Sequence, residues 1–415
     1  MTNGAPRFRW RTIALPALLP TLLFSTGEGA IIPIIPVVAT DLGASLAVAG
    51  LIAAMVMLGE LVGDVPSGWV VARLGERNAM LGAAVLALAG LLLSVFAPNP
   101  LVLGIGIFLA GLATAVFALA RHAFMTSFVP IPYRARALST LGGTFRLGYL
   151  IGPFLSAAVI QLTGETSAAF WIFAAGCLGA AITLLLLPDP ESTFGAARHA
   201  RGRADSSADG AGQQSSGLFA TLGARRDVLL RLGVGSATVA ALRASRQVIL
   251  PLWAVSIGLA DTQTAVIIGI AAAVDFALFY SGGQIMDRFG RLWIAVPSMV
   301  GLGVGHIGLA LTADLPSREG WFIALAVFLS LANGIGAGML MTMGADLAPP
   351  GNPAPFLGAW RFTNDAGGAA APVAVAGLTA LVSLPFAAAT LGALGLVGAA
   401  VLLRYIPRFP PREAG

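Results

Sequence analysis

Residues 275–291 read DFALFYSGGQIMDRFGR. This apolar segment carries one acid, Asp275, passes through a glycine pair and ends in a charged turn at residues 287–291, after which a new apolar run begins at once. Two membrane helices joined by a very short, positively charged loop have this pattern. A degraded copy stands 215 positions earlier, between Glu60 and Arg77. We therefore interpret the chain as two copies of one unit.

The composition indicates a membrane protein. Of 415 residues, 57% are hydrophobic and only 10% are charged, whereas soluble domains carry about 25% charged residues. A membrane-spanning helix needs about 20 apolar residues. Twelve such runs occur, at 12–39, 49–71, 79–97, 101–129, 137–161, 168–187, 229–258, 264–286, 292–312, 320–346, 356–381 and 384–404. The predicted fold class is an all-α membrane protein with 12 transmembrane helices.

The arginines predict the orientation. All 24 basic residues are arginine. If the amino terminus is cytoplasmic, 18 arginines fall in cytoplasmic loops and termini, Arg318 lies outside and five lie within spans. Because basic loops stay on the cytoplasmic side, we expect a multi-pass protein of the cell membrane with both termini in the cytoplasm. The arginines do not share one soluble face, so no nucleic-acid partner is expected.

The chain divides at a change of composition. From Pro188 to about Asp227 it is rich in Gly, Ser, Ala and charge, which predicts a flexible linker. We expect an N-terminal six-helix bundle at 1–187, a cytoplasmic linker at 188–228 and a C-terminal six-helix bundle at 229–415. The halves align without a gap at an offset of 215, which pairs Pro36 with Pro251, Gly43 with Gly258, Glu60 with Asp275, Gly68 with Gly283, Arg73 with Arg288, Gly75 with Gly290, Arg146 with Arg361 and Gly152 with Gly367. Two pseudo-symmetric repeats related by an axis along the membrane normal are typical of secondary transporters.

A known family matches these motifs. The turn Gly283-x-x-x-Asp287-Arg288-x-Gly290-Arg291 is similar to the helix 2–3 and 8–9 signature of the major facilitator superfamily, which the chain resembles over essentially its whole length. The helix 2–3 copy departs from it at Ala72 and Glu76. Gly148-x-x-x-Gly152-Pro153 resembles the antiporter signature of the drug-exporting branch. That branch's closing glycine pair is Ser156-Ala157 here, and Ile107 stands near the place of its helix-4 arginine.

The resemblance implies an arrangement of helices. In this superfamily helices 1, 4, 7 and 10 line a central cavity, helices 2, 5, 8 and 11 flank it, and the others face lipid. The mid-span arginines and acids follow this plan, since they lie on the lining and flanking helices. The implied partners are a small-molecule substrate, protons and membrane lipid, and the implied state is a monomer. No cofactor is expected. The single cysteine, Cys177, excludes an intrachain disulfide and a multi-cysteine metal site.

The mid-span charges are the candidate functional residues, because each costs about 2.5–3.5 kcal/mol on insertion. The proton-coupling candidates are Glu28, Asp275, Glu60 and Asp365. The candidates for substrate contact or charge pairing are Arg121, His122, Arg146, Arg243, Arg246, Arg361 and Asn333. Arg361 and Asp365 lie four apart and are predicted to pair. Arg243 and Arg246 need external partners, for which Glu28 and Asp275 are the obvious candidates. Pairs that merely lock helices together are the alternative interpretation.

A second set is predicted to gate the cytoplasmic side: Asp64, Gly68, Arg73, Gly75, Gly283, Asp287, Arg288, Gly290 and Arg291. Gly68 and Gly283 would allow close helix approach. Asp287 and Arg288 would bind neighbouring helices in the outward-facing state. A basic loop that only sets topology is the alternative. Gly148, Gly152 and Pro153 are expected to bend helix 5 or pack it closely.

The leading hypothesis for function is a proton-coupled exporter of small amphipathic organic compounds that works by alternating access. The alternative keeps the fold but transports organic anions, with Arg121, Arg146, Arg243, Arg246 and Arg361 as ligands, because the arginine fork suits carboxylate and phosphate. A membrane enzyme or channel is a different class. The sequence offers no nucleophilic set, metal cluster or Walker loop, so no enzymatic activity is expected.

Overall fold

The computed structural model describes residues 10–128, 131–186, 223, 226–349 and 354–408. Almost all of the predicted linker at 188–228 lies outside these ranges, and so do the side chains of Gly283 and Asp287.

The described chain is almost entirely helical. The helices are α1a (Trp10–Ile31), α1b (Ile35–Asp41), α2 (Leu46–Leu74), α3 (Glu76–Val95), α4 (Pro100–Phe128), α5 (Ile131–Thr163), α6 (Phe170–Leu186), α7 (Val234–Ile257), α8 (Asp261–Phe289), α9 (Leu292–Leu311), α10a (Arg318–Ile335), α10b (Met339–Leu347), α11 (Ala354–Leu381) and α12 (Leu384–Tyr405). Short turns of 3-10 helix precede α6 and follow α12, and a π-helical turn at Leu229–Gly233 leads into α7.

Two of the spans are interrupted. The α1a and α1b segments meet at an angle of 44° across residues that include Pro33, which has no amide hydrogen to donate. The α10a and α10b segments are separated at residues 336–338, where Gly338 has a φ of +79°, a conformation that side chains with a Cβ rarely adopt.

Length and composition support a multi-pass membrane protein. Among the described residues, ten helices are long and apolar enough to cross a membrane, or eleven if α1a and α1b form one span. The predicted span at α11 is not in this set, although it is 28 residues long. Its first half carries Arg361, Asn364 and Asp365, which lower its hydropathy.

The two halves repeat the same packing. In the first half α1 packs on α5 and α6, α2 on α4, and α3 on α4 and α6; α7 to α12 make the equivalent pairings. The turns also repeat. Gly43 and Gly258 have φ of +88° and +76°, and Gly75 and Gly290 have +80° and +90°. The 215-residue offset therefore relates backbone conformations as well as residue types.

The halves meet along two seams, α2 against α11 and α5 against α8. We call the end of the bundle with the Gly43 and Gly258 turns the outer end, and the end with the Gly75 and Gly290 turns the inner end. At the outer end Thr166 Oγ1 donates a hydrogen bond to Asp261 of the other half. A Cβ added at Gly50 on α2 would lie 2.9 Å from Leu252 Cδ1 on α7. The halves therefore touch at the outer end, where a crevice of about 600 Å³ also lies between the start of α2 and the outer ends of α7, α11 and α12.

Three glycines toward the inner end have open space around them. A Cβ added at Gly68 on α2, Gly142 on α5 or Gly358 on α11 would meet no heavy atom within 4 Å. The expectation that Gly68 lies at a close helix contact is therefore wrong for this state. The physical reason is that the inner end of α2 has no close neighbour at that position.

Candidate functional site

A cavity of about 280 Å³ lies between the two halves. Its walls come from α2 and α4 of the first half and from α7, α10 and α11 of the second. The polar residues that line it are Glu60, Asp64, Thr114, Arg243, Gln247, Arg361, Asn364 and Asp365. The structure thus brings together candidates that lie up to 305 positions apart, from Glu60 to Asp365.

The acidic wall of the cavity is organised around Arg361. Its Nη2 lies 3.1 Å from Asp64 Oδ1 on α2 of the other half, and its Nε lies 3.2 Å from Asp365 Oδ2 on its own helix. The predicted i,i+4 pair is therefore present. The Asp64 contact was not predicted, because Asp64 was grouped with the loop residues. Glu60 is near this cluster and interacts electrostatically with both aspartates.

Asp275 lies in a second cluster, with donors from α7 and α10. Arg246 Nη2 donates to Asp275 Oδ2 at 2.6 Å, and Asn333 Nδ2 donates to the two carboxylate oxygens at 2.9 and 3.0 Å. Arg246 Nη1 also donates to Ser330 Oγ at 2.6 Å. The expected pairing of one α7 arginine with Asp275 is present, and the carboxylate is fully engaged.

Two further arginines surround this cluster. Arg243 Nη2 donates to the Gly336 carbonyl at the break in α10, while its buried Nε has no partner within the described chain. Arg146 places its guanidinium carbon 4.5 Å from the centre of the Phe279 ring. Arg146 and Arg243 both interact with the charge of Asp275. Three arginines therefore share this region with one carboxylate.

Glu28 is isolated from those arginines. It is 1% exposed, and its carboxylate oxygens make no hydrogen bond of ordinary length among the described residues, although the hydroxyls of Tyr149 and Thr114 lie close enough to act as weak donors. The groups that act most strongly on its charge are Arg121 on α4, Tyr149 on α5 and Thr114 on α4. The expectation that Glu28 pairs with Arg243 or Arg246 is wrong, because Glu28 faces α4 and α5 of its own half.

The repeat gives Glu28 a counterpart of opposite charge. At the offset of 215, Glu28 corresponds to Arg243, and Arg121 corresponds to Gly336. The Glu28–Arg121 neighbourhood of the first half is thus equivalent to the Arg243–Gly336 contact of the second. Sequence reasoning missed this inversion, although the gap-free alignment contains it.

The comparisons with known proteins agree with this architecture. A model of the Major Facilitator Superfamily matches residues 17–372 and 232–415. The chain belongs to the Major Facilitator Superfamily. The family match agrees with the resemblance that the loop motifs indicated.

Several curated proteins are similar to part of this transporter. The galactose-proton symporter of Escherichia coli K12 is 28% identical over 182 residues, which cover 44% of this chain and 39% of the symporter. The uncharacterised MFS-type transporter YfkF of Bacillus subtilis is 31% identical over 180 residues, or 42% and 44% of the two chains. The chain thus matches about two fifths of these relatives' length. They support the superfamily, and the drug-exporting branch is not specifically supported.

Solved structures share the fold over almost the whole length. A POT family transporter in complex with a thioalcohol-conjugated peptide aligns with a TM-score of 0.76 at 12% identity and covers 96% of each chain. The xylose transporter XylE from E. coli aligns with a TM-score of 0.71 at 16% identity and covers 98% of this chain and 99% of its own.

The loop arginines contact residues of their own helices or of α10b. The guanidinium carbons of Arg73 and Arg288 lie 5.2 and 5.3 Å from the ring centres of Trp69 and Phe289 on their own helices. Arg291 forms a bidentate ion pair with Asp346 at the end of α10b, with distances of 2.6 and 2.8 Å. The predicted latch by Asp287 and Arg288 refers to the outward-facing state, and the side chain of Asp287 lies outside the described residues. It stays a prediction.

The helix-5 motif packs α5 against α1. A Cβ added at Gly148 would lie 2.0 Å from Ser25 Oγ, and one at Gly152 would lie 2.4 Å from the Ala30 nitrogen. Pro153 lies inside the same helix. The repeat-equivalent Gly367 on α11 meets the Ala237 carbonyl oxygen of α7 at 2.4 Å. These glycines set the distance between the helix that bears Glu28 or Arg243 and its neighbour.

Two other predicted site residues have mainly local contacts. His122 Nδ1 lies 2.8 Å from the Ala118 carbonyl oxygen, one turn earlier on α4, and the residue does not line the cavity. Arg121, which is 7% exposed, lies with its guanidinium carbon 4.5 Å from the centre of the Phe145 ring. Residues that the sequence did not single out include Ser330, Asn364 and Phe279, because a hydroxyl, an amide or an aromatic ring in a membrane helix carries no distinctive signal.

Proposed function

We propose that this superfamily member is a proton-coupled secondary transporter that moves a small polar organic solute by alternating access. The observation that carries the proposal is Glu28, a buried carboxyl group that forms no ion pair in the described chain and has Arg121, Tyr149 and Thr114 as its neighbours. The galactose-proton symporter among its relatives is consistent with the coupling ion.

An unpaired carboxylate at Glu28 is costly, and this cost favours proton coupling. A carboxylate buried in a membrane protein costs several kcal/mol unless it is paired or takes up a proton. Glu28 can relieve this cost by holding a proton, or by losing it and pairing with Arg121. Each alternative favours a different arrangement of α1 and α4, so protonation biases which way the cavity opens.

Glu28 and Asp275 differ in how fully their carboxylates are paired. The carboxylate of Asp275 accepts three hydrogen bonds from Arg246 and Asn333, so its oxygens are already engaged. Of the two acids that the sequence put forward first, Glu28 is therefore the better proton carrier, and Asp275 is the better structural partner for the α7 arginines.

The size of the cavity limits the size of the substrate. Its volume of about 280 Å³ is below the roughly 300–1,000 Å³ of sites for drug-sized ligands. The cavity and its charged lining fit a small polar solute better than the small amphipathic compounds expected from the helix-5 motif.

Transport of organic anions remains the second candidate function. The observation that favours it is the excess of arginine near Asp275, where Arg146, Arg243 and Arg246 share one carboxylate. In that function the arginines bind substrate. Neutralising one of them would then weaken substrate binding, whereas in a purely structural role it would impair folding.

The test uses purified protein in liposomes that contain a pH-sensitive dye. Galactose, inositol, leucine, succinate and tetraphenylphosphonium are added in turn, and a solute-dependent pH change in the lumen identifies proton coupling. Glu28→Gln is expected to abolish this change while leaving solute exchange intact. Glu165→Gln, the same change at an exposed residue beyond α5, is the control. Normal proton movement in Glu28→Gln would show that Glu28 is not the proton carrier.

A further inference from the structure

We propose that the central cavity binds a small zwitterion, with the solute's ammonium group near Glu60 and Asp365 and its carboxylate near Arg243 and Asn364. The proposal rests on the proposed function in that it takes this cavity as the transport site, and it names the substrate class. Its basis is the placement of unpartnered acceptors and donors on different walls.

The acceptors lie on α2 and α11. Glu60 lines the cavity, and no group in the described part of the chain makes a hydrogen bond or ion pair with it. Asp64 and Asp365 share one arginine, Arg361. Three carboxylates with one cation leave this wall negative, and the side chains of Asp64 and Asp365 are 21% and 37% exposed. A primary ammonium group, with three donors, fits this wall.

The donors lie toward α7. Arg243 lines the cavity, and its Nη1 is not buried and makes no hydrogen bond within the described chain, whereas Nη2 donates to the Gly336 carbonyl and Nε is buried. Asn364, 7% exposed, also lines it. The Oδ1 of Asn364 accepts a hydrogen bond from Ser236 Oγ at 2.6 Å, which leaves its amide N–H groups without an acceptor among the described residues. A guanidinium and an amide that both offer N–H groups fit a carboxylate.

The repeat explains why one cavity has two signs of charge. The halves are related by a pseudo-two-fold axis, so a perfectly repeated sequence would place the same charges on both sides. Position 28 of the first half is an acid, whereas the equivalent position of the second half is Arg243. This inversion breaks the symmetry between the halves. Of the two residues only Arg243 lines the cavity, and the negative wall comes from Glu60, Asp64 and Asp365.

A singly charged solute would use only part of this site. An anion at Arg243 would bring its other end toward the unpartnered Glu60, and a cation at Glu60 would leave Arg243 Nη1 without an acceptor. Donors and acceptors without partners reduce affinity strongly. A small zwitterion such as leucine can engage both groups at once within a cavity of about 280 Å³.

The test measures binding to the purified full-length protein by titration calorimetry. Leucine is compared with two analogues of similar size: 4-methylpentanoate, which lacks the ammonium group, and leucinamide, which lacks the carboxylate. Alanine, propionate and alaninamide form a smaller series, and galactose is the uncharged reference. We expect at least one zwitterion to bind at least tenfold more tightly than both of its singly charged analogues.

Variants assign each end of the solute. Glu60→Gln should reduce leucine affinity to that of 4-methylpentanoate without changing the binding of the anion. Arg243→Gln should reduce it to that of leucinamide without changing the binding of the cation. Glu60→Asp and Arg243→Lys keep the charges and should keep the preference for the zwitterion over its singly charged analogues. They serve as the test where a neutral variant does not fold. Glu165→Gln and Arg404→Gln, at exposed positions away from the cavity, are the matched controls.

The outcomes separate this inference from the proposed function. If no zwitterion binds more tightly than both its analogues, the inference is wrong, and solute-driven proton movement in liposomes would still support the transporter. A preference for the two anions would identify the organic-anion alternative. If leucine binds with the expected variant pattern but moves no protons, the zwitterion site stands and proton coupling fails.

Discussion

Arg361 and Asp64 form an ion pair of 3.1 Å that joins α11 of the second half to α2 of the first. At the 215-residue offset these positions correspond to Arg146 and Phe279, and these two residues also meet, with the guanidinium carbon 4.5 Å from the ring centre. The same arginine position therefore holds both seams together, once through a carboxylate and once through an aromatic ring. The α2–α11 seam is the more polar of the two.

The first prediction concerns the polar seam. Arg361→Gln removes the cation shared by Asp64 and Asp365, so that three carboxylates face one another, and we expect lower thermal stability. The Arg361–Asp64 pair itself is partly exposed, with 47% and 21% of the side chains accessible, so its coupling energy should be about 0.5–1 kcal/mol. A double-mutant cycle with Asp64→Asn, read from thermal unfolding in detergent, measures it. A coupling energy of zero would mean that the pair does not hold the seam.

The second prediction uses the equivalence of the two seams. Phe279→Asp places a carboxylate at the position that corresponds to Asp64, beside Arg146. We expect this variant to unfold at a higher temperature than Phe279→Asn, because the arginine can pair with the new acid. In an Arg146→Gln background the order should reverse, since the new carboxylate then lacks a partner. The same order in both backgrounds would contradict the structural equivalence of the positions.

The Asp275 cluster gives a third prediction. Arg246 and Asp275 are only 11% and 13% exposed at the side chain. Removing one partner of a buried pair leaves an uncompensated charge, which costs about 3–5 kcal/mol. Asp275→Asn should therefore destabilise the protein more than Asn333→Leu, which removes neutral donors worth about 1–3 kcal/mol. Arg246→Gln combined with Asp275→Asn should be less harmful than the sum of the two changes. Additive losses in thermal unfolding would argue against a direct pair.

Some of these contacts could be predicted from the sequence, and others could not. Arg361 and Asp365 share a helical face, so that pair followed directly from their spacing. The offset of 215 also paired the loop glycines, whose positive φ only the structure shows. The partner of Glu28 did not follow. Helix α1 is apolar on nearly all sides, so its sequence does not show which face meets α4 and α5. That rotation depends on where Gly148 and Gly152 allow α5 to approach.

The fourth prediction tests how that approach is set. Gly152→Leu introduces a side chain whose Cβ would lie 2.4 Å from the Ala30 nitrogen, so α5 cannot pack on α1 without moving, and Glu28 moves with it. We expect a large loss of folded protein and of solute-driven proton movement. Gly142→Leu is the matched control, because it lies on the same helix and its Cβ would meet no heavy atom within 4 Å. Size-exclusion chromatography in detergent and the liposome assay measure both effects. Equal behaviour of the two variants would show that the α1–α5 contact does not control the position of Glu28.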